Sequence, residues 1–174
     1  MSTTISIPES GLNFGPYEET DLFYVEKSSI YKSLQKSSTK TVEFILRIRD
    51  DEILFVEAKS SFPNPENPES LDKFKHSVEE IYNKFAHSIN LFFALVLKRV
   101  DDRNNEVPDF FKSAKYSAVK IKLLLVLNGF QMEWLSGIQD ALYIHKKLIR
   151  LRKIWSLEVA VINHEQVKEY GLLK

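Results

Sequence analysis

The stretch ILFVEAKSS, residues 53–61, runs from apolar residues into Glu57, Ala58 and Lys59. An acid and a lysine two apart on a strand project from the same face. That pairing suits phosphodiester hydrolysis assisted by a hard cation. A carboxylate ligates Mg2+ or Mn2+, and an ammonium group positions water and offsets the charge building on the phosphorane oxygens. Glu57 is the candidate ligand and Lys59 the candidate catalytic cation. The competing account is plain: strands often end in charges, and an acid two residues before a lysine arises readily by chance.

A second carboxylate should come from the neighbouring strand. Asp50, Asp51 and Glu52 lie at the wrong end, roughly 20 Å along the strand from Glu57. Glu43, in TVEFILRI (41–48), sits near the end that carries Lys59. Strand register decides its role, because directly opposed residues share a face. A three-residue connection, Asp50 to Glu52, pairs Glu43 with Lys59. A two-residue connection opposes Glu43 to Ala58 and turns it away. The odd loop is the expectation that keeps Glu43 in the site.

The elements that must position these groups follow from pattern. LFYVEKS (22–28) reads as a short strand, followed by a helical turn. Residues 41–48 and 53–59 read as the two strands of a hairpin. Asn67 suits a helix cap, with Pro68 at the first helical position and Glu69 complementing the dipole. From there Phe74, Val78, Ile81, Phe85, Ile89 and Phe92 recur at helical spacing. Residues 119–129 predict a strand buried on both faces, 131–153 a second helix, and 157–163 a last strand. The order predicts an α/β domain over 1–174, with a front hairpin, a mixed central sheet, parallel crossovers and flanking helices. Residues 1–17, with two prolines and two glycines, read as a loosely ordered leader.

This hairpin, with an acid on its first strand and E-x-K on its second, then a long helix and another strand, resembles the PD-(D/E)XK nuclease superfamily. The resemblance spans about residues 22–128 and implies a restriction-endonuclease-like fold. Carried onto this sequence, it implies Glu43 as the first acid and Glu57 and Lys59 as the E-x-K. Glu26, in FYVEKS, matches the further acid that many members carry upstream. Thr41-Val42-Glu43 stands where the family has its Pro-Asp. The resemblance implies a Mg2+- or Mn2+-dependent nuclease acting on DNA or RNA. It further implies work as a homodimer or within a larger antiviral-defence or nucleic-acid-processing complex. The alternative from another class is an inactive interaction subunit that keeps the fold.

Bulk properties narrow the rest. The 174 residues are 44% hydrophobic and 28% charged, as in ordinary globular proteins. Cysteine is absent, which removes disulfides, thiol nucleophiles and thiolate zinc sites and fits a cytoplasmic setting. The first residues show neither a basic start nor an apolar signal core, and no run is long enough to span a bilayer. The zero net charge hides a segregation: residues 1–109 carry 19 acids and 13 bases, residues 110–174 carry 5 acids and 11 bases. Lys146, Lys147, Arg150 and Lys153 head the basic part and are the candidate phosphate contacts; a solvated helix face is the alternative. His145 reads as a satisfied core histidine, and His76 and His87 as solvated helix positions. No G-x-S-x-G elbow or phosphate-binding glycine loop occurs.

Overall fold

The computed structural model describes residues 3–173. In chain order the elements are β1 (Thr4–Glu9), β2 (Leu12–Glu18), β3 (Leu22–Phe23), α1 (Ser29–Leu34), β4 (Phe44–Arg49), β5 (Glu52–Lys59) and α2 (Leu71–Val96). There follow α3 (Asp109–Ser113), β6 (Lys120–Leu127), α4 (Met132–Ile144), α5 (Lys146–Trp155), β7 (Leu157–Asn163) and α6 (His164–Glu169). Strands β3-β4-β5-β6-β7 form one mixed sheet in that order, antiparallel at the β3, β4 and β5 pairings and parallel from β5 to β7. The fold is therefore α/β, with the hairpin in front and the crossovers behind, as the sequence pattern predicts.

Side-chain alternation divides the sheet into two buried faces. Ile45, Ile53, Phe55, Leu123, Leu125 and Val159 pack under the layer of α2, α4 and α5. Phe44, Leu46, Leu54, Val56, Leu124 and Ile162 pack on the other side with Ile7 and Phe14. Ile7 and Phe14 belong to β1 and β2, so the expectation of a loose leader is corrected. That segment is a two-stranded hairpin whose apolar alternation covers the second face of the sheet. Its tight turn is Ser10-Gly11, both at positive φ, which matches the twist of the flanking strands.

The central hairpin also differs from expectation. Arg49 pairs with Glu52, so the connection is the two-residue Asp50-Asp51. The register then shifts between Arg47 and Arg49, leaving Ile48 as an extra residue on β4. This bulge supplies the odd residue that the turn lacks. Beyond it Ile45 opposes Phe55 and Phe44 opposes Val56, so odd positions of the two strands share the α2 face.

Helix α2 starts as its sequence prescribes. A 3-10 turn over Pro68–Ser70 precedes it, and the Asn67 side chain accepts from the Glu69 amide at 3.0 Å. The single helix expected over 131–153 is instead two, broken at His145, whose backbone is extended. His145 caps α5 by accepting from the Leu148 amide and lies 2.9 Å from Glu79 through its other nitrogen. It is satisfied, as expected, but it is partly exposed at the break between α4 and α5 and not a core residue, and its capping geometry ends α4. Among the described residues no helix is long and apolar enough to cross a membrane.

Gly11 sits at φ +78, and a Cβ there would meet Asn128 Nδ2 at 2.8 Å. Asn128 donates to the Ser10 carbonyl at 3.0 Å and so docks the hairpin tip on the end of β6. Gly11→Ala is expected to cost about 1–2 kcal/mol in urea unfolding, from the left-handed backbone penalty. An unchanged midpoint would show that the tip is not held there.

Candidate active site

Glu57 lies near the carboxyl end of β5, between β4 and β6, and is fully buried. Ligand sites of open α/β sheets commonly lie beyond the carboxyl ends of parallel strands. Burial of a carboxylate there needs a partner, and α2 supplies one. Lys84 Nζ lies 2.7 Å from Glu57 Oε1 and 3.6 Å from Glu43 Oε1. Glu43 immediately precedes β4, and its amide donates to the Val56 carbonyl at 3.0 Å. The structure thus brings Glu43 and Glu57 together on one face, 4% and 0% exposed.

Their partner is not the residue the register argument named. The odd-loop hairpin that would pair Glu43 with Lys59 does not form, and Lys84 bridges Glu43 to Glu57 instead. Lys59 pairs with Glu80 of α2 at 3.4 Å. It nevertheless lines the same pocket of about 250 Å³ as Glu9, Glu43, Glu57 and Lys84, in which Ala58 is the one apolar wall residue. Glu26 follows β3 in a 3-10 turn, and its amide donates to the Glu43 carbonyl. One oxygen each of Glu9, Glu26 and Glu43 lies within 4.8 Å of the others.

Sequence reasoning named Glu43, Glu57, Lys59 and Glu26, and missed Lys84, Glu80 and Glu9. A signal for the first two exists: Ser77, Glu80, Lys84 and Ser88 repeat at three and four residues beside the apolar stripe of α2. That polar row faces the strand ends. Ser88 Oγ accepts from the Val42 amide at 2.8 Å, and His87 Nδ1 accepts from the Lys40 amide at 3.1 Å. His87 is therefore an anchor of the 40–43 segment, not the solvated position expected. His76 is exposed, as expected.

The basic group on α5 stands apart. Lys146, Lys147, Arg150 and Lys153 are exposed, and none lines the carboxylate pocket. Lys147 is tied to Glu79 of α2.

Comparison of the chain with protein-family models, with curated proteins and with solved structures gave no match.

Electrostatics set the resting state of the site. Burial, foremost, and the neighbouring Glu26 and Glu57 carboxylates push the Glu43 carboxyl up to about 9. Burial also pushes Glu57 up, to about 7, against the pull of Lys84 and Lys59. Glu80 stays below the usual range: burial opposes this, but Lys59 and Lys40 outweigh it. Burial lowers the Lys84 pKa and its carboxylate neighbours raise it, with a net rise, so Lys84 stays charged. One oxygen of Glu43 and one of Glu57, both Oε2, are buried without a hydrogen-bond partner.

A carboxyl whose folded pKa is raised stabilises the fold at low pH and loses that contribution as pH climbs through the folded value. Without divalent cations, the melting temperature is therefore expected to fall as pH rises from about 4.5 through about 7 and about 9. Lys84→Met should deepen the loss, by about 3–5 kcal/mol at pH 8, because it leaves a buried charge unpaired. At pH 5 the cost should be smaller, since Glu57 then carries a proton. Thermal melts across that range check both statements, and a flat profile would contradict the assignment of protons.

Proposed function

We propose that this chain is a metal-dependent nuclease of the restriction-endonuclease-like type, hydrolysing phosphodiester bonds of DNA or RNA with Mg2+ or Mn2+. The observation that carries the reading is the meeting of Glu43 and Glu57 at the strand ends, each with a buried, unpartnered oxygen. Such oxygens fit a hard cation, which prefers carboxylate and water ligands. Glu43, Glu57 and Glu26 would hold it. A bound cation supplies acidified water and stabilises charge at phosphorus. The hairpin, α2 and the parallel strand β6 follow in the order that the superfamily's core uses, which supports the reading further.

The chain's own groups divide the remaining work. Lys59, partly exposed at the pocket mouth, exchanges Glu80 for a phosphate oxygen and orients the attacking water. Lys84 keeps Glu57 ionised and in place, so it is a positioning residue. The exposed bases of α5 hold the nucleic-acid backbone outside the pocket. A homodimer or a larger cytoplasmic complex, in antiviral defence or nucleic-acid processing, supplies the specificity that a pocket this small does not carry.

A specific observation favours a second reading, an inactive interaction subunit. The Lys84 ammonium already lies against both acids, as an internal counter-ion would, and Lys59 is engaged by Glu80. Incubation with mixed single- and double-stranded DNA and RNA, in Mg2+ and in Mn2+, separates the two. Cleavage lost in Glu57→Ala supports the nuclease; no cleavage of any substrate supports the interaction subunit. Lys59→Ala is expected to keep the fold and cation binding while lowering turnover by about two to three powers of ten, the cost of one transition-state donor. Unchanged turnover would remove Lys59 from the mechanism.

Binding should also weaken steeply with salt, because phosphate contacts release counterions. Replacing Lys146, Arg150 or Lys153 by alanine is expected to flatten the salt dependence, each substitution that removes a phosphate-bound base lowering the slope by about one. An unaltered slope would place the nucleic acid on another surface.

A further inference from the structure

The pocket holds one carboxylate that the core hairpin does not supply. Glu9 ends β1, two residues beyond the buried Ile7, and so shares its sheet-facing side. The hairpin tip reaches past the ends of β5 and β6. Ser10 Oγ donates to the Ala58 carbonyl at 2.9 Å, and Asn128 Nδ2 donates to the Ser10 carbonyl. These two contacts fix Glu9 over the site. Its Oε1 accepts from the Ser10 amide at 3.1 Å.

We propose that Glu9 is a ligand of a divalent cation shared with Glu26 and Glu43, and that this cation clasps the β1-β2 hairpin to the sheet. Proximity of three acids alone would not carry this. The independent observation is Glu57, outside that triad, fully buried and lining the same pocket with its Oε2 unpartnered. Counter-charge within reach is also short. Around the pocket five carboxylates, Glu9, Glu26, Glu43, Glu57 and Glu80, face three ammonium groups, Lys40, Lys59 and Lys84. Lys84 sits against Glu57 and Glu43, and Lys40 and Lys59 sit against Glu80. Among the described residues, neither Glu9 nor Glu26 has a lysine or arginine within ion-pair distance. The donors are all oxygen, which selects Mg2+ or Mn2+ over softer metals.

The proposal rests on the nuclease reading for the identity of the cation but not for its existence. The test is calorimetric titration of the full chain with Mn2+, alongside hydrogen exchange of residues 4–18 with and without Mn2+. In the unaltered protein, Mn2+ is expected to bind and to slow exchange across the hairpin. Glu9→Gln should weaken Mn2+ binding by about tenfold or more, taking the loss of an outer-shell partner as the lower bound. It should also abolish the cation-dependent protection. Its metal-free melting temperature should be unchanged or raised, which establishes that the variant folds. Equal Mn2+ affinity in Glu9→Gln, or protection that persists in it, overturns the proposal and leaves the core acids available to the nuclease reading. No Mn2+ binding by the unaltered chain also overturns it. Mn2+ binding with hairpin protection but no cleavage of any nucleic acid removes the nuclease reading and leaves the clasp standing.

Discussion

A carboxylate with no exposure, on a central strand, is the constraint around which the molecule is arranged. Glu57 cannot be buried as a charge without a compensating partner. Lys84 meets that need from one turn of α2, whose buried apolar stripe holds that side of the helix against the sheet. The polar row beside it then holds the incoming strand. Ser88, His87 and Glu80 engage Val42, Lys40 and the Lys40 ammonium in turn. Glu43 arrives beside Glu57 as a consequence. A pair of acids that would repel each other in isolation is thus held together by packing and one ammonium group.

Such an arrangement is poor as a stability device. A buried ion pair seldom repays its desolvation, and an apolar isostere often serves the fold better. Two partly satisfied carboxylates buried at the strand ends therefore mark this as the candidate site, since perturbed ionisable groups cluster at working sites. The raised pKa values of Glu43 and Glu57 express the same conflict. A proton relieves it at low pH, and a bound cation would relieve it with the charges kept.

The N-terminal hairpin links the two faces of the sheet. Ile7 and Phe14 close the face opposite α2, while the Ser10-Gly11 tip hooks over the strand ends into the site. A change at that tip is therefore felt both in the second core and at the carboxylates. Among the described residues the C-terminal segment is tied to the same hairpin, through Tyr17 Oη donating to the Leu172 carbonyl at 2.7 Å.

The amino-acid sequence by itself determined the elements with strong periodicity. The stripe from Phe74 to Phe92 dictated α2, and the apolar run over 119–129 dictated a strand covered on both faces. It also placed Glu57 and Lys59 at a strand end and Glu43 near it, because short-range alternation is a local property. Register was not local. The sequence left open whether Glu43 faced the site, and the answer came from a bulge at Ile48, where packing of Ile45 and Phe55 under α2 outweighed the preference of the turn. The break at His145 was likewise hidden, since its other ring nitrogen meets Glu79 of α2, a contact 66 residues away in sequence. The hairpin of residues 4–18 looks loose in sequence because two prolines and two glycines interrupt it; Ile7 and Phe14 become core only in the cluster with Phe44 and Val56. The polar row of α2 marks Lys84 as one helix face but not what it meets, and nothing local marks Glu9; both reach the site because tertiary packing carries one helix turn and one hairpin tip to the same strand ends.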